Sequence, residues 1–356
     1  MSPHRIALAL LAPLALALLS SCYVTVQGAR YLGLQAKAVS LERLMADPAT
    51  EPAIRDLLVR AAEVRAFARD ELGLAESRNF TTLVRLERDY LADVVSACAP
   101  LSFERKLWKY PVVGALPYKG FFKRAEAEAE AAKLRAKGWD VLVREVDAFS
   151  TLGWFKDPLW SFMVSYGPGS LAEILVHELT HATVFVKGRE GFNEALATFV
   201  GVEGAKSWLR EKYGESSAEL AAYEAAKADG RRFAAFLAET ARKLEALYGS
   251  GIDEEAMRGC KAALIAERAA EYARDAAAYS LEAYRNYPMD KVDNALLDLY
   301  RLYEPDSGFW AAYLEHVAGG SVRRLVEDAR EAAKEAARTK RDPEAVLRER
   351  LAAAGD

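Results

Sequence analysis

Histidine and cysteine are scarce in this sequence of 356 residues, which contains 4 His and 3 Cys. Three cysteines cannot build a disulfide framework for a chain of this length. A basic excess is lacking as well, because 48 Lys and Arg face 52 Asp and Glu and the isoelectric point is about 5.8. Such a balance offers nothing to neutralise phosphates, so we expect no nucleic-acid partner. With 52% apolar residues the chain can nevertheless bury a sizeable core, which excludes disorder as a description of the whole.

A hydrophobic run marks the N-terminus, where residues 6–19 are apolar. The run is shorter than the roughly 20 residues of a transmembrane helix and has the length of a signal-peptide core. The small residues before Cys22 resemble a bacterial lipobox. We therefore predict that residues 1–21 are a lipoprotein signal peptide and that Cys22 carries the lipid. The alternative is an ordinary secretory signal that happens to be followed by a cysteine.

This leader also predicts a compartment. A mature chain that begins at Cys22 would be tethered to a membrane by acyl chains without spanning it. We expect the bacterial cell envelope, and Tyr23 in place of an aspartate after the cysteine favours the periplasmic side of the outer membrane. Cys98 and Cys260 would then sit in an oxidising compartment, where they either pair or stay buried.

Most of the mature sequence is rich in Ala, Leu, Glu and Arg and favours helices. Residues 100–155 contain more Pro, Gly and β-prone alternation, which predicts short strands. Two amphipathic segments, about 218–248 and 253–285, flank a Gly-Ser-Gly turn and predict a helical hairpin. The expected fold is α+β and predominantly helical, with a small mixed or antiparallel sheet. Residues 22–213 would hold N-terminal helices, the sheet and the motif helices, and residues 214–356 a helical part that completes the core.

A possible metal motif lies in a predicted helix that runs from Ser170 to about residue 186. Ser170 and Glu173 have the spacing of a capping box at its start. Further along, His177 and His181 are four apart and share one helix face, so both imidazoles can reach one cation. Glu178 projects toward the same open side. Two of the 4 histidines thus have the spacing of zinc ligands.

The third ligand is expected in the next predicted helix, from about residue 192 to 213. Glu194 stands at its start, after a glycine-containing turn that would fold this helix back against the first. Glu203 is the competing candidate, but it lies two and a half turns further on and so off the face of Glu194. We favour Glu194, since a His, His, Glu set leaves a fourth position for water, as catalytic zinc requires.

The wider pattern resembles known peptidases. The two histidines, followed by Asn193-Glu194 at the start of the next helix, resemble the glutamate-zincin metallopeptidases, the group that includes thermolysin. Strings within 150–158, 177–200 and 293–303 resemble a bacterial family of putative aminopeptidases, whose members are typically predicted lipoproteins. The likeness covers nearly the whole mature chain. It implies a zincin-like core, a Zn²⁺ cofactor and a peptide or protein substrate.

Carried over residue by residue, the resemblance makes His177, His181 and Glu194 the zinc ligands. Glu178 becomes the catalytic base, because zinc would lower the pKa of its water toward neutrality and Glu178 would pass the water proton to the leaving amine. Tyr303 is the expected donor to the oxyanion, owing to its place in the family pattern.

Several supporting roles stay open. Tyr300, one helical turn before Tyr303, and His316 are alternative oxyanion donors. Thermolysin-like enzymes orient an imidazole with an aspartate one turn after the glutamate ligand, whereas this chain has Thr198. Either Thr198 is a weaker acceptor or another carboxylate serves. Residues 150–155 are expected to form the strand that pairs with a peptide, although their aromatic side chains fit a core equally well.

The kind of peptidase is the last open point. An aminopeptidase needs a carboxylate near the zinc for the substrate's ammonium, and Asp147, Asp157 and Glu173 are the candidates. An envelope endopeptidase fits the same ligands. The non-enzyme alternative is an inactive, lipid-anchored binding or scaffold protein whose zinc is structural or lost. Glu178 argues against that alternative, since a structural site has no use for a base beside its ligand.

Overall fold

The computed structural model of the chain describes residues 23–110, 114–147, 156–301 and 308–355. The helices in these ranges are α1 (Tyr23–Gln35), α2 (Leu41–Ala46), α3 (Pro52–Asp70), α4 (Arg124–Arg135), α5 (Pro168–Thr183), α6 (Glu190–Tyr213), α7 (Ala218–Tyr248), α8 (Glu254–Asp275), α9 (Glu282–Arg285), α10 (Asn294–Tyr300), α11 (Gly308–His316), α12 (Val322–Thr339) and α13 (Pro343–Gly355). The strands are β1 (Val39–Ser40), β2 (Thr82–Val84), β3 (Ala92–Cys98), β4 (Trp108–Tyr110), β5 (Gly114–Leu116), β6 (Tyr118–Phe121), β7 (Asp140–Val146) and β8 (Leu159–Trp160). The expected α+β, predominantly helical fold is confirmed.

The strands form three small sheets. A mixed sheet has the order β1-β2-β8, in which β2 runs antiparallel to β1 and parallel to β8. An antiparallel sheet has the order β6-β3-β7, and β4 and β5 form a separate antiparallel pair. Helix α4 packs on one face of the antiparallel sheet, where Val95, Phe121, Ala131 and Val141 are buried together. The short strands expected within residues 100–155 are present as β4 to β7.

The largest hydrophobic core surrounds α5. Helices α3, α6 and α11 to α13 contribute to it, and Leu57, Leu175, Leu196 and Leu325 are each at most 1% exposed. Burying a side chain of this size contributes about 1.5–3 kcal/mol, so the apolar face of α5 is firmly held. The boundary predicted after residue 213 falls between α6 and α7 and stays a prediction.

A second core lies between α7, α8 and α10. The predicted hairpin is confirmed for α7, whereas its second helix ends at Asp275, ten residues before the expected end, and is followed by short turns of helix. Cys98 is buried and Cys260 is exposed, and both thiols are free. Among the described residues, no helix is both long and apolar enough to cross a membrane.

Asn294 ties the second core to the antiparallel sheet. Its side chain is completely buried and donates to the carbonyls of Ala99, at 2.8 Å, and Ser102, at 3.1 Å. Its Oδ1 accepts a hydrogen bond of 2.8 Å from the Tyr248 hydroxyl. One amide thus satisfies two loop carbonyls and a tyrosine that would otherwise be buried without partners.

We expect Asn294→Ala to lower the free energy of unfolding by about 2–4 kcal/mol, because three buried polar groups lose their partner. Asn286→Ala is the matched control, since the Asn286 side chain is exposed and its amide donates to Glu282, one turn earlier on the surface. Urea unfolding followed by circular dichroism measures both variants. Equal losses in the two would show that the Asn294 hydrogen bonds do not hold α10 in place.

Candidate metal centre

Helix α5 presents both histidines on its open side. Its buried positions include Leu171, Leu175 and Leu179, and this spacing leaves His177 and His181 on the opposite, half-buried face. The two imidazole Nε2 atoms lie 3.1 Å apart, and the ring planes are nearly perpendicular, at 83°. Two ring nitrogens therefore point at one place.

The carboxylate of Glu194 completes this arrangement from α6. Its Oε1 lies 3.4 Å from His181 Nε2 and its Oε2 lies 3.6 Å from His177 Nε2. A tetrahedral zinc ion with bonds of about 2.0–2.1 Å keeps its ligand atoms about 3.3 Å apart. The three measured separations, 3.1, 3.4 and 3.6 Å, scatter around that value. Each imidazole has a different carboxylate oxygen of Glu194 nearest to it, and the donor set could hold a metal ion such as zinc.

Glu203, the competing candidate, lies elsewhere. Its Oε1 accepts a hydrogen bond of 2.7 Å from Lys206, on the same helix. The group of possible metal ligands found in the described ranges consists of His177, His181 and Glu194. The helical period, which favoured Glu194 over Glu203, thus predicted the glutamate that the structure brings next to the histidines.

Asn193 secures the turn between α5 and α6. Its side chain is 2% exposed; its Nδ2 donates to the Val186 carbonyl and its Oδ1 accepts from the Val186 amide, each at 2.9 Å. This pair of bonds mimics one step of a β-ladder and fixes the loop against the first turn of α6. Glu194 is the next residue, so this pair of hydrogen bonds, the Asn193 clamp, fixes the backbone position from which the Glu194 side chain extends.

Two glycines of α6 allow the helices to approach closely. A Cβ at Gly201 would lie 3.1 Å from the Glu173 carbonyl oxygen and 3.3 Å from His177 Cβ. A Cβ at Gly204 would lie 3.0 Å from a methyl group of Val176. Gly201 is two turns after Glu194 and on the same helix face. The close contact therefore sets how far the Glu194 carboxylate stands from the imidazoles.

The capping box expected at the start of α5 is wrong. The helix begins at Pro168, after Gly167, and no described side chain caps it. Proline suits this first position, where its missing amide removes one of the unpaired donors. Glu173 instead accepts hydrogen bonds of 2.7 Å from both the Tyr223 hydroxyl and Lys227 of α7. It anchors α5 to α7 and is not available to an imidazole or a substrate.

Charge is concentrated around the histidines. Contact with His177 and then with His181 lowers the pKa of Glu194 well below its usual range. Burial disfavours the charged form of His181, but the carboxylates of Glu194, Glu178 and Asp157 outweigh it and raise its pKa. Burial raises the pKa of Glu178, and Glu194 adds to this effect, while the two histidines oppose it. Anionic groups thus surround the place where a cation would bind.

Asp157 and Tyr31 also belong to the surroundings of the site. Burial raises the pKa of Asp157 to about 7, and the Glu178 carboxylate adds to the effect. Burial likewise raises the pKa of Tyr31 to about 12, with smaller contributions from Asp157 and Glu178. Asn79 holds Asp157 on both sides, since it donates to the carboxylate and accepts from the backbone amide, each at 3.3 Å. Sequence reasoning proposed Asp157 but missed Tyr31, which no local pattern connects with the motif.

The remaining candidates are distributed as follows. Tyr303 and residues 150–155 lie outside the described residues, as does Cys22. Tyr300 packs in the second core, 5.8 Å from Phe233 by ring centroids, and His316 is exposed at the end of α11.

Two further candidates are accounted for by their contacts. Thr198 is exposed and makes no hydrogen bond to an imidazole among the described residues. Asp147 accepts a hydrogen bond from the Tyr166 hydroxyl. Neither residue therefore orients a metal ligand in this part of the chain, and Asp147 is engaged elsewhere.

Gly201→Ala should weaken the binding of a metal ion at this centre by about tenfold, since small shifts behind a ligand typically cost that much. The added methyl group would push α6 away from His177 and carry Glu194 with it. Gly191→Ala is the control in the same helix, because a Cβ there meets nothing within 4 Å. Competition with a chelator gives both affinities, and an unchanged affinity in Gly201→Ala would refute the role of this contact.

Comparison with known proteins gives one match. The model of the family described as "Putative aminopeptidase" matches residues 22–344. Searches of curated proteins and of solved structures found no match. The match covers the metal motif and nearly all helices and strands of the described ranges, and it confirms the resemblance to the family of putative aminopeptidases. The chain belongs to the family of putative aminopeptidases.

Proposed function

We propose that the protein is a zinc-dependent aminopeptidase of the bacterial cell envelope, held to the membrane by a lipid on Cys22. The observation that carries the proposal is the spacing of His177, His181 and Glu194, which fits tetrahedral zinc. A structural zinc site is usually closed by four protein ligands, whereas the described residues supply three. The open position and the adjacent Glu178 favour an enzyme over a scaffold.

The chemistry divides between the metal and the chain. Zinc held by His177, His181 and Glu194 would supply a Lewis acid that acidifies water and polarises the scissile carbonyl. Glu178 follows a ligand directly on α5, and its carboxylate is placed to take a proton from the attacking water and to pass it to the leaving nitrogen. Its raised pKa, caused first by burial, brings the group closer to neutral pH and so makes it a stronger base. Tyr303 remains the proposed donor to the oxyanion.

Aminopeptidase specificity requires an anion for the substrate's ammonium. Of the three candidates, Glu173 is bound to Tyr223 and Lys227, and Asp147 is bound to Tyr166. Asp157 has no cation among its described contacts, and its carboxylate interacts electrostatically with Glu178. A half-buried carboxylate that lies near the reacting groups and is hydrogen-bonded by the neutral amide of Asn79 is suited to an ammonium, so we assign this role to Asp157.

Glu178→Gln should lower kcat by about 1,000-fold, the scale expected when a positioned base is removed, while zinc content stays unchanged. Glu203→Gln is the control, because Glu203 lies on α6, pairs with Lys206 and does not face the ligands. Hydrolysis of a peptide library and metal analysis of the same samples give both quantities. Full activity in Glu178→Gln would refute the mechanism, and a folded wild-type protein that binds no zinc would refute the site.

Asp157→Asn should lower kcat/KM for peptides with a free N-terminus by about 10- to 100-fold, the value of a hydrogen bond between charged groups. N-acetylated peptides should be poor substrates for the wild type and should not lose further rate in the variant. Asp147→Asn should leave the ratio of the two rates unchanged. Equal cleavage of free and acetylated peptides by the wild type would instead indicate an endopeptidase.

A further inference from the structure

Asp157 is held by two consecutive residues of the segment that precedes β2. The side-chain amide of Asn79 donates a hydrogen bond of 3.3 Å to Oδ2 of Asp157, and its Oδ1 accepts one of 3.3 Å from the Asp157 backbone amide. The backbone amide of Phe80 donates to the Asp157 carbonyl at 2.6 Å. These contacts fix both the backbone and the carboxylate of Asp157.

The strands that follow set the register of this contact. Strands β2 and β8 run parallel, with Leu83 opposite Leu159 and Val84 opposite Trp160, and all four side chains are buried. A shift by one residue would turn every one of these side chains to the other face of the sheet. The pairing therefore keeps Asn79 and Asp157, which precede the two strands, next to each other.

The backbone of Phe80 has an unusual conformation. Its φ is +58°, in the left-handed region that is costly for any residue with a Cβ. The Phe80 side chain is 2% exposed in the core around α5, and its burial offsets that cost. Conformations of this kind persist where the surrounding structure determines them, and they cluster at functional sites. Here the strained residue is the one whose amide binds Asp157.

The same segment is tied to the helix that carries the histidines. The Ala75 amide donates a hydrogen bond of 2.9 Å to Oγ1 of Thr183, which lies two residues after His181 on α5. The backbone amide of Asn79 donates to Oγ of Ser77 at 3.1 Å. The segment from Ala75 to Asn79 is thus fixed to α5 at one end and to Asp157 at the other.

A neutral amide orients a carboxylate without cancelling its charge, as an arginine or lysine would. Asn79 occupies Oδ2 of Asp157, and among the described residues no donor reaches Oδ1. Resting on the aminopeptidase function proposed above, we propose that Asn79 is a positioning residue that directs Oδ1 of Asp157 at the N-terminal ammonium of the substrate. Asn79 thereby strengthens the preference for a free N-terminus without touching the substrate.

The test is a double-mutant cycle between Asn79 and Asp157. It follows the ratio of kcat/KM for a peptide with a free N-terminus to that for the same peptide acetylated. Asn79→Leu keeps the side-chain volume and removes both hydrogen bonds, so it should lower the ratio by about 5- to 10-fold, mainly through KM. In the Asp157→Asn background the same substitution should lower the ratio no further, because the two residues act as one unit.

Thr81→Val is the matched control. The Thr81 hydroxyl donates to the Arg78 carbonyl within the same turn and does not contact Asp157, so the ratio should stay unchanged. Zinc content and thermal unfolding show whether each variant is folded. Asn79→Ser, whose shorter side chain does not reach both groups of Asp157, takes the place of Asn79→Leu if that variant does not fold.

Three results would overturn the proposal. If Asp157→Asn lowers the ratio and Asn79→Leu does not, Asn79 has no positioning role and the aminopeptidase function stands. Equal losses of rate for the free and the acetylated peptide would assign Asn79 a structural role only. A wild type that cleaves both peptides equally well would refute the aminopeptidase function and, with it, the role of Asn79.

Discussion

The close contact between α5 and α6 is the constraint on which the metal centre depends. The two histidines come from one helix and the glutamate from the other, so the distance between the helices becomes the distance between ligands. Gly201 allows that distance because its missing side chain leaves room for the Glu173 carbonyl and His177. The Asn193 clamp fixes the turn between α5 and α6, and the hydrogen bonds of Glu173 to Tyr223 and Lys227 fix the other end of α5 against α7.

The electrostatics of the site follow from the same packing. Glu178 and Asp157 are half-buried near the two imidazoles, whereas Glu194 is largely exposed. A carboxylate that loses water without gaining a cation carries a free-energy cost. A divalent cation at the crossing of His177, His181 and Glu194 would offset that cost. Burial is the first cause of the raised pKa values of Glu178 and Asp157, so both carboxylates are less stable in their charged form than they would be in water.

Local sequence patterns were enough to predict the residues of the site that lie on α5 and at the start of α6. The four-residue spacing of His177 and His181 sets their common face, and the helical period distinguishes Glu194 from Glu203. The convergence of Tyr31 with Glu178 could not be predicted, because it depends on how α1 docks on distant elements. Glu173 was misread as a cap because its tertiary partners on α7 leave no trace near it in the sequence.

The most direct test of the account is zinc X-ray absorption spectroscopy on the zinc-loaded, detergent-solubilised full chain and on Glu194→Ala. The account predicts one zinc shell of nitrogen and oxygen at about 2.0–2.1 Å, with two imidazoles and a carboxylate, and loss of the carboxylate contribution in the variant. Sulfur in the zinc shell, or a spectrum that Glu194→Ala leaves unchanged, would contradict the assignment of His177, His181 and Glu194 as ligands.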